Sequence, residues 1–295
     1  MFTKKKIFFA SELYLCLETS KYMKIISYNV NGIRAAEKKG LFDWVKKEKP
    51  DVLCLQEVKA LPEQIDLSPL TDFGYHVHWH AAEKKGYSGV AIFSLKKPDK
   101  VVVGMKNDKY DSEGRILRVD FGSLSILNCY FPSGTSGDLR QTFKYEFLDD
   151  FYRWIKKLKK TRKELVIVGD YNVAHEEIDI HNPKSKSSGF LPDERAWMTK
   201  WFDSGFIDSF RYICPQEVGY SWWSYRANAR ANNKGWRIDY QSISENLTSK
   251  LKRAFILADV KHSDHCPIGI EIEYYLFIKK ETTRTRFFTS RKHYN

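Results

Sequence analysis

The stretch LVIVGDYN (165–172) is an unbroken apolar run that ends on a carboxylate, Asp170, and an amide, Asn172. A short run of this kind, bounded by Gly169, is typical of a strand that is buried on both faces of a sheet. Polar side chains that follow such a strand lie at the edge of the sheet, where rigid strands deliver residues to a site. We therefore predict a strand at 165–170 whose end carries site residues.

The same pattern occurs at four more places, where an apolar run ends or begins on a polar residue. These residues are Asn29 and Asn31 after the first run, Glu57 after the second, Asp239 in RIDY (237–240), and Asp264 with His265 before the last run. Any one of them alone would be interpreted as a turn residue, because Asn and Asp are favoured in turns. Five such ends in one chain instead indicate one site at the edge of the sheets.

Strand-like runs and a few amphipathic stretches alternate along the chain. The strand candidates are residues 24–30, 51–57, 75–80, 90–94, 101–105, 116–120, 125–131, 165–170, 221–224, 238–244, 254–257 and 268–274. An apolar stripe at helical spacing consists of Leu139, Phe143, Phe147, Phe151, Ile155 and Leu158. Pro192 predicts the start of a second helix, and Leu41, Trp44 and Val45 predict another. We predict an α/β (α+β) fold, a four-layer sandwich of two packed mixed β-sheets flanked by helices.

The net charge favours a polyanionic partner, but much of it lies at the ends of the chain. The 295 residues carry a formal net charge of +12, of which residues 1–22 hold +2 and residues 276–295 hold +5. The remaining +5 lies in residues 23–275. We predict an N-terminal extension at 1–22, one catalytic domain at 23–275, and a basic C-terminal tail at 276–295 that adds non-specific affinity for a polyanion.

Five widely spaced cysteines, with no Cys-x-x-Cys pair, predict neither a disulfide framework nor a zinc site. Cys54 and Cys129 lie in apolar runs, where we expect buried, reduced thiols. This favours a cytoplasmic protein, associated with the nucleoid if the cell is bacterial. No apolar run approaches the ~20 residues that a membrane span needs, so we expect no membrane partner. Nothing in the sequence indicates more than a monomer.

The residue types at the strand ends suit the hydrolysis of a phosphodiester. A carboxylate such as Glu57 can hold Mg²⁺, a hard cation that prefers oxygen ligands, and an Asn carbonyl can complete the shell without adding charge. An Asp can activate a water, and a His can stabilise the phosphoryl oxygens. A second Asp can then fix the tautomer and the orientation of that His.

Eight segments along the chain resemble the exonuclease III family of apurinic/apyrimidinic endonucleases, within the endonuclease/exonuclease/phosphatase superfamily. They are SYNVNGIR (27–34), LCLQEVK (53–59), GYSGVAIFS (86–94), NCYFPSG (128–134), VGDYNVAHEEIDI (168–180), SGFLPDER (188–195), YSWWSYRANARANNKGWRIDY (220–240) and SDHCPI (263–268). The first two are common to the superfamily, whereas the eight together, in family order, are specific.

The resemblance implies a DNA base-excision repair nuclease that depends on Mg²⁺, with Mn²⁺ as an alternative. Its implied reaction is hydrolysis of the phosphodiester 5′ to abasic sites in double-stranded DNA. It also implies 3′→5′ exonuclease and 3′-phosphodiesterase activity on 3′-blocked lesions.

The resemblance also implies a role for each polar strand end. The implied metal-binding residues are Asn29, Glu57, Asp170, Asn172, Asp264 and His265. The implied catalytic residues are Tyr130, Asp170, Asn172, Asp239 and His265. Asp170 would activate or position the attacking water, His265 would contact the scissile phosphate, and Asp239 would orient His265. In a two-metal scheme Asp170, Asn172 and His265 are also ligands, so the two sets overlap.

Two positions depart from some members of the family. Asn31 stands where some relatives have an Asp that binds metal, and an amide there contributes no charge. Ser133 stands where some relatives have Asn. The sequence therefore leaves open the metal role of the first and the contact made by the second.

The dense aromatic segment around residues 220–240 has two interpretations. Core packing is the common fate of tryptophan, whereas the resemblance places Trp222, Trp236 and Ile238 around a pocket for a flipped-out sugar. Such a pocket favours a lesion that lacks a base, because there is little to unstack. The cations interleaved with these aromatics are expected near backbone phosphates, or else on a solvated surface; they are Arg226, Arg230, Lys234 and Arg237. The loop 182–189 is a second candidate DNA contact.

Two other functions are consistent with parts of the pattern. A phosphatase or phospholipase acting on inositol phosphates or sphingomyelin would share the metal and Asp/His segments. A non-catalytic DNA-binding module would have lost the catalytic residues, all of which are present here. The stretch 235–240 and the preceding pair of tryptophans favour the nuclease that acts on abasic DNA.

Overall fold

The computed structural model of the chain describes residues 22–274. Apart from Tyr22, which opens the first strand, the predicted extension at 1–22 lies outside the described residues, as does the basic tail at 276–295. The described part contains two six-stranded β-sheets with helices outside them. The predicted four-layer sandwich of two mixed sheets is therefore confirmed. No helix in residues 22–274 is both long and apolar enough to cross a bilayer.

The strands are short and follow the apolar runs of the sequence closely. Their bounds are β1 Tyr22–Asn29, β2 Val52–Gln56, β3 His76–His80, β4 Val90–Ser94, β5 Lys100–Val103, β6 Ile116–Phe121, β7 Leu124–Tyr130, β8 Glu164–Asp170, β9 Phe206–Asp208, β10 Asp239–Ser244, β11 Leu251–Ile256 and β12 Ile268–Glu273. Sheet A has the order β11-β12-β1-β2-β4-β3, and sheet B has the order β5-β6-β7-β8-β10-β9. The pairs β1–β2 and β7–β8 are parallel and the others are antiparallel, so both sheets are mixed.

The helices cover the outer faces of the two sheets. Their bounds are α1 Ile33–Glu37, α2 Leu41–Glu48, α3 Ser68–Thr71, α4 Asp108–Asp111, α5 Asp138–Thr161, α6 Pro192–Asp203 and α7 Ser209–Ile213, with short 3₁₀ turns at Pro62–Gln64, Glu177–Asp179, Arg226–Asn228 and Glu245–Lys250. The three predicted helices are α5, α6 and α2. At the start of α6, Pro192 occupies the first position and Glu194 accepts a hydrogen bond from the Leu191 amide at 2.9 Å, which satisfies one free donor of the helix end.

Three apolar layers hold the sandwich together. Between the sheets, Ile25 and Ile92 of sheet A pack in one cluster with Ile126 and Val166 of sheet B. The outer face of sheet B packs against α5 and α6, and the outer face of sheet A packs against α2. Within the predicted stripe of α5 the middle residues are buried, whereas Leu139 in the first turn is 89% exposed. The inner layer fixes which strand ends come together at one edge of the sandwich.

The prediction of a strand at 221–224 was wrong, and a strand was missed at Phe206–Asp208. Residue Trp222 forms only isolated bridges to Trp236 and His265, because the amides of Ser221 and Trp222 both donate to the Trp236 carbonyl at 2.9 Å. Its segment therefore makes a local bridge and not a ladder. The missed strand has three residues and ends on Asp208, which caps α7, so it has too little alternation to be detected.

Gly169 is the residue that allows β8 to deliver Asp170. Its φ of +142° lies in a region that side chains disfavour, and a Cβ there would lie 1.8 Å from the carbonyl oxygen of Cys129 on β7. The two parallel strands can therefore approach closely only because this position has no side chain. Asp170 then pairs in register with Tyr130 on one side and with Asp239 on the other.

We predict that Gly169→Ala lowers the free energy of unfolding by more than Gly137→Ala does. At Gly137 the φ is +105° and nothing lies within 4 Å of an added Cβ, so only the backbone cost of about 1–3 kcal/mol applies. At Gly169 the clash with backbone should add about 1–3 kcal/mol. Urea unfolding followed by tryptophan fluorescence measures both. Equal losses in the two variants would show that the close approach of β7 is not a constraint.

Candidate active site

Asn29 joins the two sheets at the site. It is the last residue of β1 and fully buried, and its Nδ2 donates to Oε1 of Glu57 and to Oδ2 of Asp170, both at 2.9 Å. Its Oδ1 accepts from the main-chain N–H of Asn31 at 3.0 Å. Since both the nitrogen and the oxygen of Asn29 are engaged in this way, the side chain positions the two carboxylates.

Asp170 lies at the end of β8 and is almost fully buried. Its Oδ1 accepts from the amide of Asn172 at 2.8 Å, and its Oδ2 accepts from the Asn172 Nδ2 at 3.1 Å. Burial, reinforced by the neighbouring carboxylates of Asp239 and Glu57, raises the pKa of Asp170 to about 8. A carboxyl group with this environment, at the centre of a converging set of polar residues, is typical of a functional site.

Asn172 is held in a left-handed conformation, with a φ of +53°. Its Nδ2 also donates to the Phe131 carbonyl at 3.0 Å, and its own carbonyl accepts from the Lys144 ammonium at 2.8 Å. Lys144 is fully buried and forms an ion pair with Glu194, which is also fully buried. The tight turn from Asp170 to Asn172 is therefore held by groups on α5 and α6.

Glu57 follows β2 directly and also has a positive φ, of +50°. Its Oε2 lies 2.7 Å from the ammonium of Lys59. Burial works to raise the pKa of Glu57, but the Lys59 charge and the hydrogen bond from Asn29 outweigh it and hold the pKa below its usual value. Glu57 is therefore a charged carboxylate at an otherwise buried position.

His265 and Asp239 form a buried hydrogen-bonded pair. The Nδ1 of His265 lies 2.8 Å from Oδ2 of Asp239, which also accepts from the Ser221 hydroxyl at 2.6 Å. Burial opposes a charge on His265, but the Asp239 carboxylate and its hydrogen bond raise the pKa of His265 to about 10. The Nε2 of His265 lies 3.9 Å from Oδ2 of Asp170, so the imidazole spans the two carboxylates.

Tyr130 and Asp264 lie at the border of this group. Tyr130 ends β7, its ring lies 4.9 Å from the Arg115 guanidinium, and burial together with the Glu57 carboxylate raises the pKa of its phenol. The Asp264 carboxylate accepts from Nδ2 of Asn31 at 3.0 Å and from Nε1 of Trp222 at 3.1 Å. Burial works against its charge, but the His265 charge and these hydrogen bonds lower the pKa of Asp264.

Asn31, whose metal role the sequence leaves open, has a definite place. Its amide nitrogen donates to Asp264, and its amide oxygen accepts from the Lys59 ammonium. It therefore links the Glu57–Lys59 pair to Asp264 through hydrogen bonds and not through charge. The hydroxyl of Ser133 lies 3.0 Å from that of Thr135, two residues further along the chain.

Three of the predicted metal-binding residues form a set that could hold a cation. One ligand atom from each of Glu57, Asp170 and His265 lies within 4.8 Å of the others. The ammonium of Lys59 on Glu57 shows that a positive charge is accommodated at this set. Two carboxylates and an imidazole suit a divalent cation such as Mg²⁺ or Mn²⁺. Asn29 and Asn172 lie beside Asp170 as hydrogen-bond donors, and Asp264 is joined to the set through Asn31.

The predicted pocket residues form one apolar cluster beside His265. Trp222 and Trp236 meet edge to face, with ring centroids 6.1 Å apart, and Ile238 packs with them. The Trp222 ring lies 6.5 Å from the His265 ring. The remaining members of the cluster are Ala174, Ile180 and Phe190. Both tryptophans are partly exposed, so the cluster presents an aromatic surface next to the polar group.

Two of the four cations predicted near phosphates are engaged elsewhere. Arg237 is 1% exposed and donates to Asp179 at 2.8 and 3.0 Å and to Asp208 at 2.8 and 3.2 Å, so the prediction of a phosphate contact was wrong for it. Arg230 is partly buried and donates to main-chain carbonyls. Arg226 and Lys234 are exposed, as a phosphate contact requires.

Three residues of the site are not singled out by the sequence pattern. Lys59 lies two positions after Glu57, inside a segment that resembles the family, but its pairing with the carboxylate is a feature of the fold. Ser221 falls in the stretch that the pattern predicts as a strand, and Lys144 lies outside the apolar stripe of α5. In the sequence, only its position next to Phe143 of that stripe could have indicated that Lys144 is buried.

Comparisons with known proteins identify the family of the chain. Residues 26–265 match the Endonuclease/Exonuclease/phosphatase family. The chain is 43% identical over 254 residues to an exodeoxyribonuclease of Bacillus subtilis, across 85% of this chain and 99% of that protein.

Two solved structures resemble the chain along their whole length. An AP endonuclease from Archaeoglobus fulgidus superposes with a TM-score of 0.78 at 32% identity, over 85% of this chain and 100% of that one. A 3′ phosphatase, NExo, from Neisseria, bound to a product DNA hairpin, superposes with a TM-score of 0.80 at 25% identity over the same shares. The chain therefore belongs to the endonuclease/exonuclease/phosphatase family, as its motifs predicted.

Proposed function

We propose that the protein is a DNA-repair nuclease that hydrolyses the phosphodiester 5′ to an abasic site in duplex DNA. The observation that carries this proposal is the convergence of Glu57, Asp170 and the Asp239–His265 pair beside the aromatic surface of Trp222 and Trp236. The polar group supplies what phosphodiester hydrolysis needs, and the aromatic surface supplies a place for a sugar without its base. Relatives named exodeoxyribonuclease and AP endonuclease support the same function.

We further propose Mg²⁺ as the cofactor, with Mn²⁺ as the alternative. Glu57, Asp170 and His265 would hold it, with Asn172 and Asp264 close by and Asn29 aligning the carboxylates. When bound, such a cation neutralises charge that develops on the phosphoryl oxygens. The oxygen-rich ligand set favours Mg²⁺, and the imidazole is compatible with Mn²⁺.

The residues of the chain divide the remaining tasks. Asp170 accepts a proton from the attacking water or orients it, because a carboxyl with a raised pKa is a stronger base than an exposed one. In a one-metal scheme His265, held as an imidazolium by Asp239, donates a hydrogen bond to a phosphoryl oxygen, as its raised pKa allows. In a two-metal scheme its Nε2 would instead be unprotonated and would bind the cation. Asn172 would steady the phosphate through its side-chain Nδ2, which for this must exchange one of the hydrogen bonds that it donates to Asp170 and to the Phe131 carbonyl. The Tyr130 phenol, whose pKa is raised by burial, stays neutral and donates towards the phosphate or the leaving group.

The aromatic surface distinguishes this proposal from a phosphatase that acts on small esters or lipids. Trp222 and Trp236 offer a surface for a sugar ring next to His265, and the neighbouring Arg226 and Lys234 are exposed on the same segment. The same site would accept a 3′-terminal phosphate or nucleotide, which is the basis for the proposed 3′-phosphodiesterase and 3′→5′ exonuclease activities. The similarity to the Neisseria 3′ phosphatase is consistent with these additional activities.

We also propose that the protein acts as a monomer in the cytoplasm. Every residue of the candidate site belongs to one chain, so no second copy is needed to complete it. The described cysteines are all free thiols, which suits a reducing compartment.

We predict incision of a duplex oligonucleotide that carries one tetrahydrofuran abasic analogue, on its 5′ side and only with Mg²⁺ or Mn²⁺. Asp170→Asn should lower kcat about 10²–10⁴-fold because it removes the base, and Glu57→Ala should raise the Mg²⁺ concentration required. Asp43→Asn, at an exposed carboxylate of α2 that is 84% accessible, is the matched control and should keep full activity.

The alternatives give different products in the same assay. Cleavage of simple phosphate esters with an intact duplex would favour the phosphatase. Binding of the duplex without any cleavage, with or without metal, would favour the DNA-binding module.

We predict that Asp239→Asn lowers kcat about 10²-fold or more and changes KM little. The amide cannot stabilise the imidazolium that the Asp239 carboxylate holds in place. Ser221→Ala removes one hydrogen bond to the same carboxylate and should cost about 10-fold or less. Steady-state incision kinetics measure both. An Asp239→Asn enzyme with unchanged kcat would show that His265 does not need this partner.

We predict that Trp236→Ala reduces the preference for abasic over intact duplex, measured as the ratio of the two Kd values in EDTA. Its ring is part of the surface that a flipped-out sugar would contact. Trp154→Ala, which alters a partly buried tryptophan of α5 that packs against Phe151 on the outer face of sheet B, is the control. Equal Kd ratios in wild type and Trp236→Ala would show that Trp236 does not contribute to recognition of the abasic sugar.

A further inference from the structure

The loop that carries Asp264 and His265 has no regular structure of its own. It connects β11, which ends at Ile256, to β12, which begins at Ile268. Backbone carbonyls in such a segment have no ladder to join, so they need partners from other parts of the molecule or from solvent. The position of both side chains depends on how these carbonyls are held.

One side chain, Arg230, holds four of these carbonyls. Its Nη2 donates to the carbonyl oxygens of Ala258 at 2.8 Å and Val260 at 2.6 Å. Its Nη1 donates to those of Ser263 at 2.9 Å and, at a longer 3.5 Å, His265. The guanidinium therefore spans the loop from its beginning to the residue that enters the site.

Arg230 is itself held in place by Trp223. The guanidinium carbon lies 4.6 Å from the centre of the indole ring, and Trp223 is 3% exposed. The amide of Trp223 donates to the Asp264 carbonyl at 3.0 Å, and its Nε1 donates to Asn233 at 3.2 Å. An added Cβ at Gly235 would lie 2.5 Å from this Nε1, so the absence of a side chain there allows the indole to pack where it does.

A lysine could not reproduce these contacts. The guanidinium is planar and presents its donors in a fixed fork, so it can reach carbonyls on both sides and stack on an indole at once. An ammonium is a single point of charge with three donors that cannot span the same distance. The loop therefore requires the shape and the several donors of an arginine at position 230, and not only a positive charge.

We propose that Arg230 is a positioning residue for the catalytic step: it sets the main chain of the Asp264–His265 loop so that the imidazole meets Asp239. It acts on the loop from behind and does not contact a DNA phosphate. This inference rests on the proposed function, because it concerns the roles proposed for Asp264 and His265.

The two roles of Arg230 give opposite kinetic signatures. A positioning residue affects kcat and leaves substrate binding almost unchanged. A phosphate contact would instead raise KM and Kd and would reduce the dependence of log Kd on log salt by about one unit of slope when it is removed.

The experiment compares Arg230→Lys and Arg230→Ala with wild type in the abasic incision assay. We expect kcat to fall about 10-fold or more in Arg230→Lys and further in Arg230→Ala, with Kd in EDTA and its salt slope within about twofold of wild type. Millimolar methylguanidine should restore part of the kcat of Arg230→Ala and none of that of Asp239→Asn. Arg253→Lys, at a 63% exposed arginine of β11, is the control and should match wild type.

Three outcomes in the Arg230 variants would overturn the inference. An unchanged kcat in Arg230→Lys would show that the several donors of the guanidinium are not needed to position the loop. A raised Kd with a flatter salt slope would assign Arg230 to phosphate binding. Melting of Arg230→Lys below the assay temperature would show that the guanidinium holds the whole fold and not the loop. A wild-type protein that does not incise abasic DNA would instead remove the proposed function, independently of Arg230.

Discussion

The side-chain amide of Asn29 is the contact on which the rest of the site depends. It ends a strand of sheet A and donates to a carboxylate of each sheet, Glu57 and Asp170. Two buried carboxylates repel one another unless a donor or a cation lies between them. Because this donor is part of β1, the separation of the carboxylates is tied to the packing of the two sheets.

Buried ion pairs between side chains then hold the loops around Asn29 and the two carboxylates. Arg237 joins Asp179 and Asp208 behind the aromatic surface, and Lys144 joins Glu194 behind the turn of Asn172. Pairs of this kind contribute little net stability, because desolvation offsets much of their attraction, but breaking one leaves a buried charge without its partner. We infer that these pairs favour one arrangement of the loops over others. The site is thus built from strand ends and from loops that buried ion pairs hold in place.

The sequence predicted the sandwich and the polar strand ends because both follow from local patterns. Asp170, Asp239 and Glu57 interrupt or end apolar runs, and such interruptions can be detected in one dimension. The sequence could not predict which group each charged side chain would pair with. Arg237 and Arg230 lie in a basic, aromatic segment of the kind that binds DNA. In the structure, however, Arg237 is buried against carboxylates and Arg230 donates to the carbonyls of a loop. The short bridge at Trp222 was mistaken for a strand because its hydrogen bonds depend on residues far away in the chain.

The first strand of the sandwich pairs with the last, since β1 lies between β2 and β12 with Tyr22 opposite Glu273. During synthesis, at roughly 5–20 residues per second, β1 emerges early and must wait for the final strand before its edge is covered. His265 and the loop that carries it come directly before that strand. A nascent chain that has not yet reached β12 therefore leaves β1 without its antiparallel neighbour, and one that stops before residue 265 also lacks the imidazole of the candidate site.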